Sequence, residues 1–204
     1  MAVTSSNQAL ARPATAGASR PVAGVNARLS AYLLDSLVLL VFILVFFIMG
    51  GAILLFTSDL GGEDPPDSAY YAFIAIFLAG TIIAWSAFNL ALLRWRGQTA
   101  GMYVVGIRAI GEDGLDPGAG RVALRWFGLH PLLFHPLLLP LWGIAALVAV
   151  SITLSQAVLI VSLAFVLLCL VAPAASLIAM LLDAERRTIP DRLARTLVVH
   201  FERP

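Results

Sequence analysis

The sequence contains no lysine, one cysteine and little charge of either sign, and each shortage excludes a class of protein. Only 12% of the 204 residues are charged and 60% are hydrophobic, whereas soluble domains carry about 25% charged residues. The formal net charge of +1 argues against nucleic acid as a partner, because nucleic-acid-binding domains are strongly basic. With Cys169 alone, neither a disulfide within the chain nor a thiolate metal cluster is possible.

Signatures of catalysis are also missing. The chain has no Ser/His/Asp nucleophile set, no phosphate-binding loop and no zinc-ligand spacing. His130 and His135 lie in an apolar stretch but are five residues apart, a poor spacing for two ligands on one helical face. One of them could still be an axial ligand, but nothing else indicates a cofactor. We therefore expect packing or interfacial histidines, no enzymatic activity, and neither a metal nor a cofactor.

Four apolar blocks indicate that the bilayer is the solvent of this chain. They cover about residues 29–56, 69–93, 126–150 and 157–182, and each exceeds the roughly 20 residues that cross a hydrocarbon core. The sequence predicts an all-α integral membrane protein with a bundle of four transmembrane helices. The third block contains Pro131, Pro136 and Pro140. Each proline removes a backbone donor, so this block predicts either a kinked span or a re-entrant segment.

The flanks of these blocks define the expected domains. Residues 1–27 are rich in Ala, Ser, Pro and Gly and contain no apolar stretch, which predicts a flexible cytoplasmic tail and not a secretory signal. A membrane domain over residues 28–200 and a short end at 201–204 follow. In the loop 94–125, Thr99 can cap a short helix, residues 105–110 have strand character, and Glu112-Asp113-Gly114 indicates a turn.

Arginine placement predicts the orientation of the spans. Before the first block stand Arg12, Arg20 and Arg28, and the remaining ten arginines fall in the loop 94–125 or after the fourth block. The loop after the first block holds four acidic residues and no arginine: Asp59, Glu63, Asp64 and Asp67. All arginines thus lie on one side of the four predicted spans. We expect a multi-pass membrane protein with both termini in the cytoplasm.

Three motifs stand in order along the chain: Arg28 with Asp35 seven residues later, then Gly97-Gln98-Thr99-Ala100-Gly101, then Asp191-Arg192 followed by Thr196. Together they resemble the RDD family of bacterial membrane proteins over about residues 24–200, and this resemblance implies a location in the bacterial inner membrane. The family is named for one arginine and two aspartates, which map here onto Arg28, Asp35 and Asp191. Two positions depart from the family pattern, since Met102 stands where lysine is frequent and Arg195 where glycine often precedes the final threonine.

The polar residues of the blocks predict a pocket in the cytoplasmic half of the membrane. Asp35 follows Arg28 by seven residues, about 10 Å along a helix. The same count places Asn89, His130 and Ser176 at similar depth, so we expect these four side chains to form a polar pocket. Asp35 is then either the switching carboxylate of a cation or proton site, or a structural group bonded to neighbouring helices. In the structural alternative, Arg28 anchors to lipid phosphate or to Asp191, and an Arg28–Asp191 ion pair would close the bundle.

Two functions remain open at this level. The small size and the few polar residues favour an accessory, assembly or structural component of a larger membrane complex. The resemblance implies a second possibility, because transport has been proposed for the family and some relatives are linked to sodium/proton antiport. Four short spans with one buried acid, Asp35, would need oligomerisation to form a pathway. The expected partners are the lipid bilayer and another membrane protein or further copies of this chain.

Overall fold

The computed structural model describes residues 21–201, and in that range it contains eight α-helices and two β-strands. In chain order the elements are α1 (Val25–Thr57), α2 (Asp67–Ile74), α3 (Thr81–Arg96), α4 (Ala100–Val105), β1 (Ile107–Gly111), α5 (Ala119–Phe127), α6 (Leu139–Thr153), α7 (Gln156–Leu182), α8 (Ile189–Ala194) and β2 (Thr196–His200). A π-helical segment, Ala75–Gly80, joins α2 to α3 without a break, and 3-10 turns cover Asp59–Gly61 and Pro136–Leu138.

Four helical segments are long and apolar enough to cross a membrane, judged by length and composition. They are Val25–Thr57, Asp67–Val105, Pro136–Thr153 and Gln156–Leu182. The prediction of four apolar helices of spanning length is therefore confirmed. Few of their side chains are buried along α1, α6 and α7, as expected for helices whose surroundings are lipid and not water.

The first helix begins earlier than the sequence indicates. The helix α1 starts at Val25, so the last three residues assigned to the tail, 25–27, are helical. Val22 forms a β-bridge with Val199, and the amide of His200 donates to the carbonyl of Pro21 at 3.0 Å. The backbone just before α1 is thus fixed by hydrogen bonds to β2. Residues 1–20 of the predicted tail, and 202–204 at the other end, lie outside the described residues.

The third apolar block is not one continuous helix over residues 126–150. The short amphipathic α5 ends at Phe127, Leu129 adopts a positive φ of 62°, and the spanning segment starts only at Pro136. The cause is the proline spacing, because a helix interior cannot accept Pro131 or Pro136 without losing backbone hydrogen bonds. His130 consequently lies in a turn between α5 and the span, and its depth cannot be counted along a helix.

A two-stranded sheet corrects the all-α prediction. β1 and β2 pair antiparallel, with Ile107 opposite His200 and Gly111 opposite Thr196. The strand character at residues 105–110 was visible in the sequence, but its partner at the chain's other end was not. The expected cap and turn are also present: Thr99 accepts from the amide of Met102, and Gly114 has a φ of +78°.

The spanning helices pack in two groups, which meet in one hydrophobic core. The first group is α1 with the helix formed by α2, the π segment and α3. A side chain at Gly80 would come within 2.7 Å of the Phe46 ring, and one at Gly50 within 2.9 Å of Phe73. The second group is α6 with α7, whereas α1 and α7 hardly touch each other. α4, α5, α8 and the sheet gather at the end where α1 begins, and we call this the network end.

Candidate functional site

Asp191 is the centre of a buried charge cluster at the network end. Its Oδ2 lies 2.7 Å from Nη1 of Arg28, and its Oδ1 lies 2.7 Å from Nη1 of Arg125. The Asp191 side chain is fully buried, and the two arginine side chains are 8% and 5% exposed. The ion pair between Arg28 and Asp191 that the sequence predicts is therefore present. Arg125 is a third member that sequence reasoning missed.

The local sequence explains why Asp191 is held so firmly. Thr188 and Asp191 form a capping box at the start of α8, and Pro190 stands at a first-turn position, where its missing N–H costs nothing. The amide of Thr188 donates to Oδ2 of Asp191 at 3.1 Å. Burial by itself raises the pKa of Asp191, but the Arg125 and Arg28 guanidiniums outweigh it, and the net pKa is lowered. The carboxylate is thus charged at neutral pH.

The closing threonine of the third motif joins the same cluster. Nη1 of Arg125 donates to Oγ1 of Thr196 at 3.2 Å, and Thr196 is fully buried. Arg125 lies on α5, which presents Val122, Arg125 and Trp126 to the interior. The sequence did contain a signal for the buried ion pair of Arg125. Arg125 directly precedes the third apolar block and lies on an amphipathic segment, and an arginine in such a place can face the interior. In the sequence, Arg125 stands out only as one of the ten arginines of the loop 94–125 and the C-terminal segment that predict the orientation of the spans.

Asp35 has a different set of partners, all of them uncharged. Its Oδ2 accepts from Oγ1 of Thr99 at 2.5 Å, and its Oδ1 accepts from the amide of Gly101 at 2.7 Å. Thr99 also accepts from the amide of Met102, as the N-cap of α4. The carboxylate of Asp35 therefore binds the first turn of α4, where unpaired N–H groups favour an anion.

The glycines and the glutamine of the second motif make this contact possible. A Cβ at Gly101 would overlap the carbonyl oxygen of Ala31 on α1, so only glycine lets α4 approach this closely. Gly97 ends α3 with a φ of +66°, and a Cβ there would lie 2.7 Å from the carbonyl oxygen of Ala109. Gln98 donates from Nε2 to the carbonyl of Ile107 at 2.8 Å. The motif is a compact connection from α3 to α1 and β1.

A cavity of about 270 Å³ lies between α1 and α7 at the network end. Of the four predicted pocket residues, Asp35, His130 and Ser176 line this cavity, and Asn89 is not among its lining residues. Asn89 is buried in α3 and donates from Nδ2 to the carbonyl of Trp85 at 3.0 Å. Further polar lining comes from the charge cluster and from the residues that bond the two aspartates: Arg28, Arg125, Asp191, Thr188 and Thr99.

Both histidines of the turn bond backbone amides of their own segment. Nδ1 of His130 accepts from Leu132 N at 3.2 Å, and Nδ1 of His135 accepts from Leu137 N at 3.1 Å. Burial and, to a smaller extent, the charge of the nearby Arg125 lower the pKa of His130 to about 3. His130 is therefore neutral, with its proton on Nε2. Within residues 21–201, no group of three or more His, Cys, Asp or Glu side chains could hold a metal ion.

The two departures from the family pattern, Met102 and Arg195, lie at positions with special structural requirements. Met102 is buried and lines the cavity, so the thioether occupies the place of a frequent family lysine. Arg195 adopts a φ of 50° and a ψ of 57° at the end of α8. This left-handed conformation favours glycine, which gives a physical reason for the family's glycine at that position.

The chain is a multi-pass helical membrane protein, because it has four apolar helices of spanning length. Ion pairs and hydrogen bonds of buried arginines and aspartates connect its elements at one end. The model of the RDD family matches residues 22–195, and the chain belongs to the RDD family. No curated protein and no solved structure matches the chain. The three residues that the sequence predicts to match the family's name are Arg28 and Asp191 in the charge cluster and Asp35 in the contact with α4.

Proposed function

We propose that this protein is a small accessory, assembly or structural component of a larger complex in a bacterial inner membrane. One observation carries the proposal: the signature residues bond to each other and to the chain's own backbone. Asp191 is paired with Arg28 and Arg125, and both carboxylate oxygens of Asp35 have donors within 2.7 Å. Residues used in this way stabilise a fold, and no catalytic step is part of the proposal.

The distribution of buried polar groups supports the same view. In the part of the chain that the structure describes, four charged side chains are buried, and all belong to the network end: Arg28, Asp35, Arg125 and Asp191. The one buried residue of α6 is Leu141, and α7 buries Cys169, Ala172 and Met180 besides Ser176. A pathway through the membrane needs polar groups at the other end too, and a single chain supplies few there.

A matched pair of measurements tests this proposal. The tagged chain is purified from its own membranes in a mild detergent, and the mass of the complex is determined by light scattering. We expect a stoichiometric complex with a second membrane protein, which is recovered again when the tag is moved to that partner. A particle containing this chain alone would contradict the proposal.

An ion-coupled transporter or antiporter is the second candidate, and the observation favouring it is that Asp35 lines the cavity. In this alternative several copies assemble and Asp35 is the switching carboxylate. Purified protein in liposomes would then move protons or sodium, and Asp35→Asn would abolish the flux while Asn89→Asp, outside the cavity, would not. Absence of flux from a correctly folded homo-oligomer would remove this candidate.

The proposed orientation places both termini, and with them the network end, in the cytoplasm. The support is the distribution of charge along the chain. Arginines flank the start of α1, the end of α3 and the end of α7, whereas the segment between α1 and α2 carries acidic residues and no arginine. In a Cys169→Ser background, single cysteines at Asp64 and Gly118 test it. A membrane-impermeant maleimide added outside intact spheroplasts should label position 64 and not 118, and the reverse labelling would invert the topology.

A further inference from the structure

The two buried arginines of the cavity have more hydrogen-bond donors than the chain uses. Nε and Nη2 of Arg28 and Nε of Arg125 are buried without a partner among the described residues, and so is Oγ of Ser176. All three residues line the cavity. Buried donors without acceptors are costly and uncommon in native proteins. Three guanidinium nitrogens without a partner at one cavity indicate an acceptor supplied from outside the chain.

The charges at this place favour an anion as that acceptor. Arg28 and Arg125 share a single carboxylate, Asp191, which leaves an excess of positive charge. His130, the other titratable group facing the two arginines, is neutral. Asp35 lies seven residues farther along α1, about 10 Å away by helical rise, and its oxygens are taken by Thr99 and Gly101. Guanidinium groups bind phosphate and carboxylate oxygens particularly well.

The walls of the cavity suit an alkyl chain. Most of them are apolar, and Leu29 of α1 and Leu177 of α7 line the cavity while being 46% and 40% exposed on the outer surface. Because α1 and α7 hardly contact each other, the cavity meets the gap between two helices of spanning length. Its volume of about 270 Å³ is slightly below the usual range of about 300–1,000 Å³ for small-molecule pockets, so it fits a head group and not a whole lipid.

We infer that this cavity binds the anionic head group of a membrane lipid, whose alkyl chains leave through the gap between α1 and α7. The phosphate oxygens accept from the unpaired N–H groups of Arg28 and Arg125, and the hydroxyl of Ser176 bonds the polar part of the head group. This site does not depend on the proposed accessory role, because a structural component and a transporter could each hold such a lipid.

Lipid titration of the whole, delipidated protein in dodecyl maltoside tests the inference. Native mass spectrometry counts bound molecules of dioleoyl phosphatidylglycerol and of dioleoyl phosphatidylcholine, which have the same chains but differ in head-group charge. We expect one phosphatidylglycerol to be retained per chain, with an affinity at least about tenfold above that for phosphatidylcholine: both lipids carry an anionic phosphodiester, but the choline cation of phosphatidylcholine would lie close to two guanidiniums, and like charges brought together cost several kcal/mol. Bound phosphatidylglycerol should also raise the melting temperature.

Two tryptophan variants on α7 localise the binding without touching the charge cluster. Ala174 lines the cavity and is exposed, whereas Ala164 is exposed on the same helix and does not line it. Ala174→Trp should abolish the retention of phosphatidylglycerol, and Ala164→Trp, about 15 Å away along the helix, should leave it unchanged.

A variant within the charge cluster tests the donors themselves. Arg28→Lys keeps the positive charge beside Asp191 but removes the spare guanidinium N–H groups, and it should weaken binding by about tenfold.

Three results would overturn the inference. The first is equal retention of the two lipids, which would mean that the head-group charge is not recognised. The second is equal binding by the Ala174→Trp and Ala164→Trp variants, which would place the lipid elsewhere on the helices. The third is retention of inorganic phosphate at millimolar concentration by a protein that retains no phosphatidylglycerol, which would assign the donors to a soluble anion.

Discussion

The two aspartates of the family name are held by different chemistry, although both are buried at one end of the molecule. Asp191 lies between two guanidiniums, so the positive charges of Arg28 and Arg125 compensate its negative charge. Asp35 is bound by a hydroxyl and a backbone amide, so its charge is compensated by dipoles at the start of α4. Removing a partner leaves each carboxylate buried without its donor, which is more costly than the lost bond itself.

Thr99 is the residue that tests the contact of Asp35 with α4. Thr99→Val keeps the shape but removes both the bond to Asp35 and the cap on the amide of Met102. We expect the free energy of unfolding to fall by about 2–4 kcal/mol, as the sum of a lost N-cap and an unpaired buried acceptor. Thr99→Ser retains the hydroxyl and should cost far less. Equal losses for the two variants, measured by unfolding in detergent, would contradict the role of the hydroxyl.

Gly101 tests how closely α4 must approach α1. Gly101→Ala would place a methyl group against the carbonyl oxygen of Ala31, and overpacking of this kind costs about 1–3 kcal/mol. Gly120 is the matched control, because it is also the second residue of a short helix but has no atom within 4 Å of an added Cβ. Gly120→Ala should be neutral or stabilising. Melting temperatures of the two variants should therefore move in opposite directions or differ clearly.

Arg195 offers a stabilising change. Its φ of 50° strains any residue with a Cβ by about 1–2 kcal/mol, so Arg195→Gly should raise the free energy of unfolding by up to about 1 kcal/mol, after the entropy that glycine loses on folding. Arg195→Ala keeps the Cβ and removes the same charge, and it should bring no comparable gain. A rise in melting temperature shared by both variants would point to the charge and not to the backbone.

Among the elements, α8 is the one that connects the others. Asp191 joins it to α1 through Arg28 and to α5 through Arg125, and β2 follows it directly into the sheet with β1. The first spanning helix, the loop before the third span and the end of the chain are thereby fixed to one another. The three motifs of the sequence lie in separate elements, and they meet only because α8 and α4 both dock against the start of α1.

This arrangement predicts the outcome of exchanging the charges of one pair. Arg28→Asp alone should cost about 3–5 kcal/mol, as for any buried pair that loses one partner. The double variant Arg28→Asp with Asp191→Arg should not recover the stability, because an arginine at position 191 would face Arg125. Full recovery would mean that Arg125 contributes nothing to the cluster. Arg121→Asp at the exposed Arg121–Asp113 pair, also at 2.7 Å, is the control and should have a much smaller effect.

For the whole molecule, the buried neutral His130 makes stability depend on pH. Its pKa is about 3 in the folded chain and 6.5 when unperturbed, so the unfolded state binds more protons between these values. Stability should therefore fall as the pH drops from about 6.5 towards 3, by up to about 1.4 kcal/mol per pH unit.

Asp191 acts in a lower pH range. Because the pKa of Asp191 is lowered in the folded chain, its contribution to the free energy of unfolding is complete above its unfolded pKa of about 3.9 and is lost in stronger acid.

Unfolding midpoints between pH 7 and pH 4.5 check this dependence. His130→Asn can still accept from the amide of Leu132 but does not titrate, so its stability should change less with pH. The remaining dependence comes from His135, whose pKa is lowered by burial to about 4. His200 is exposed at the end of β2, and His200→Asn should leave the profile of the parent protein unchanged. A profile that is flat in the parent protein, or equally steep in His130→Asn, would contradict the assignment.

The sequence by itself determined the features that follow from local composition. Apolar runs longer than the hydrocarbon core predict spans, so the four helices are visible in the chain, and the Thr99 cap and the turn before Gly114 are encoded by adjacent residues. The break in the third block was also signalled by Pro131 and Pro136. Only its form, a separate α5 and a turn holding His130, was missed, because proline forbids a helix without specifying what replaces it.

Only the tertiary structure decided which distant residues meet. The pairing of β1 with β2 joins segments about 90 residues apart, and no local pattern encodes such a partner. Arg125 and Asn89 both carry polar groups near apolar blocks, yet one enters the charge cluster and the other bonds within its own helix. Helical rise gives the depth of a side chain, but its rotation and the packing of neighbouring helices decide what it touches, and those depend on the whole chain.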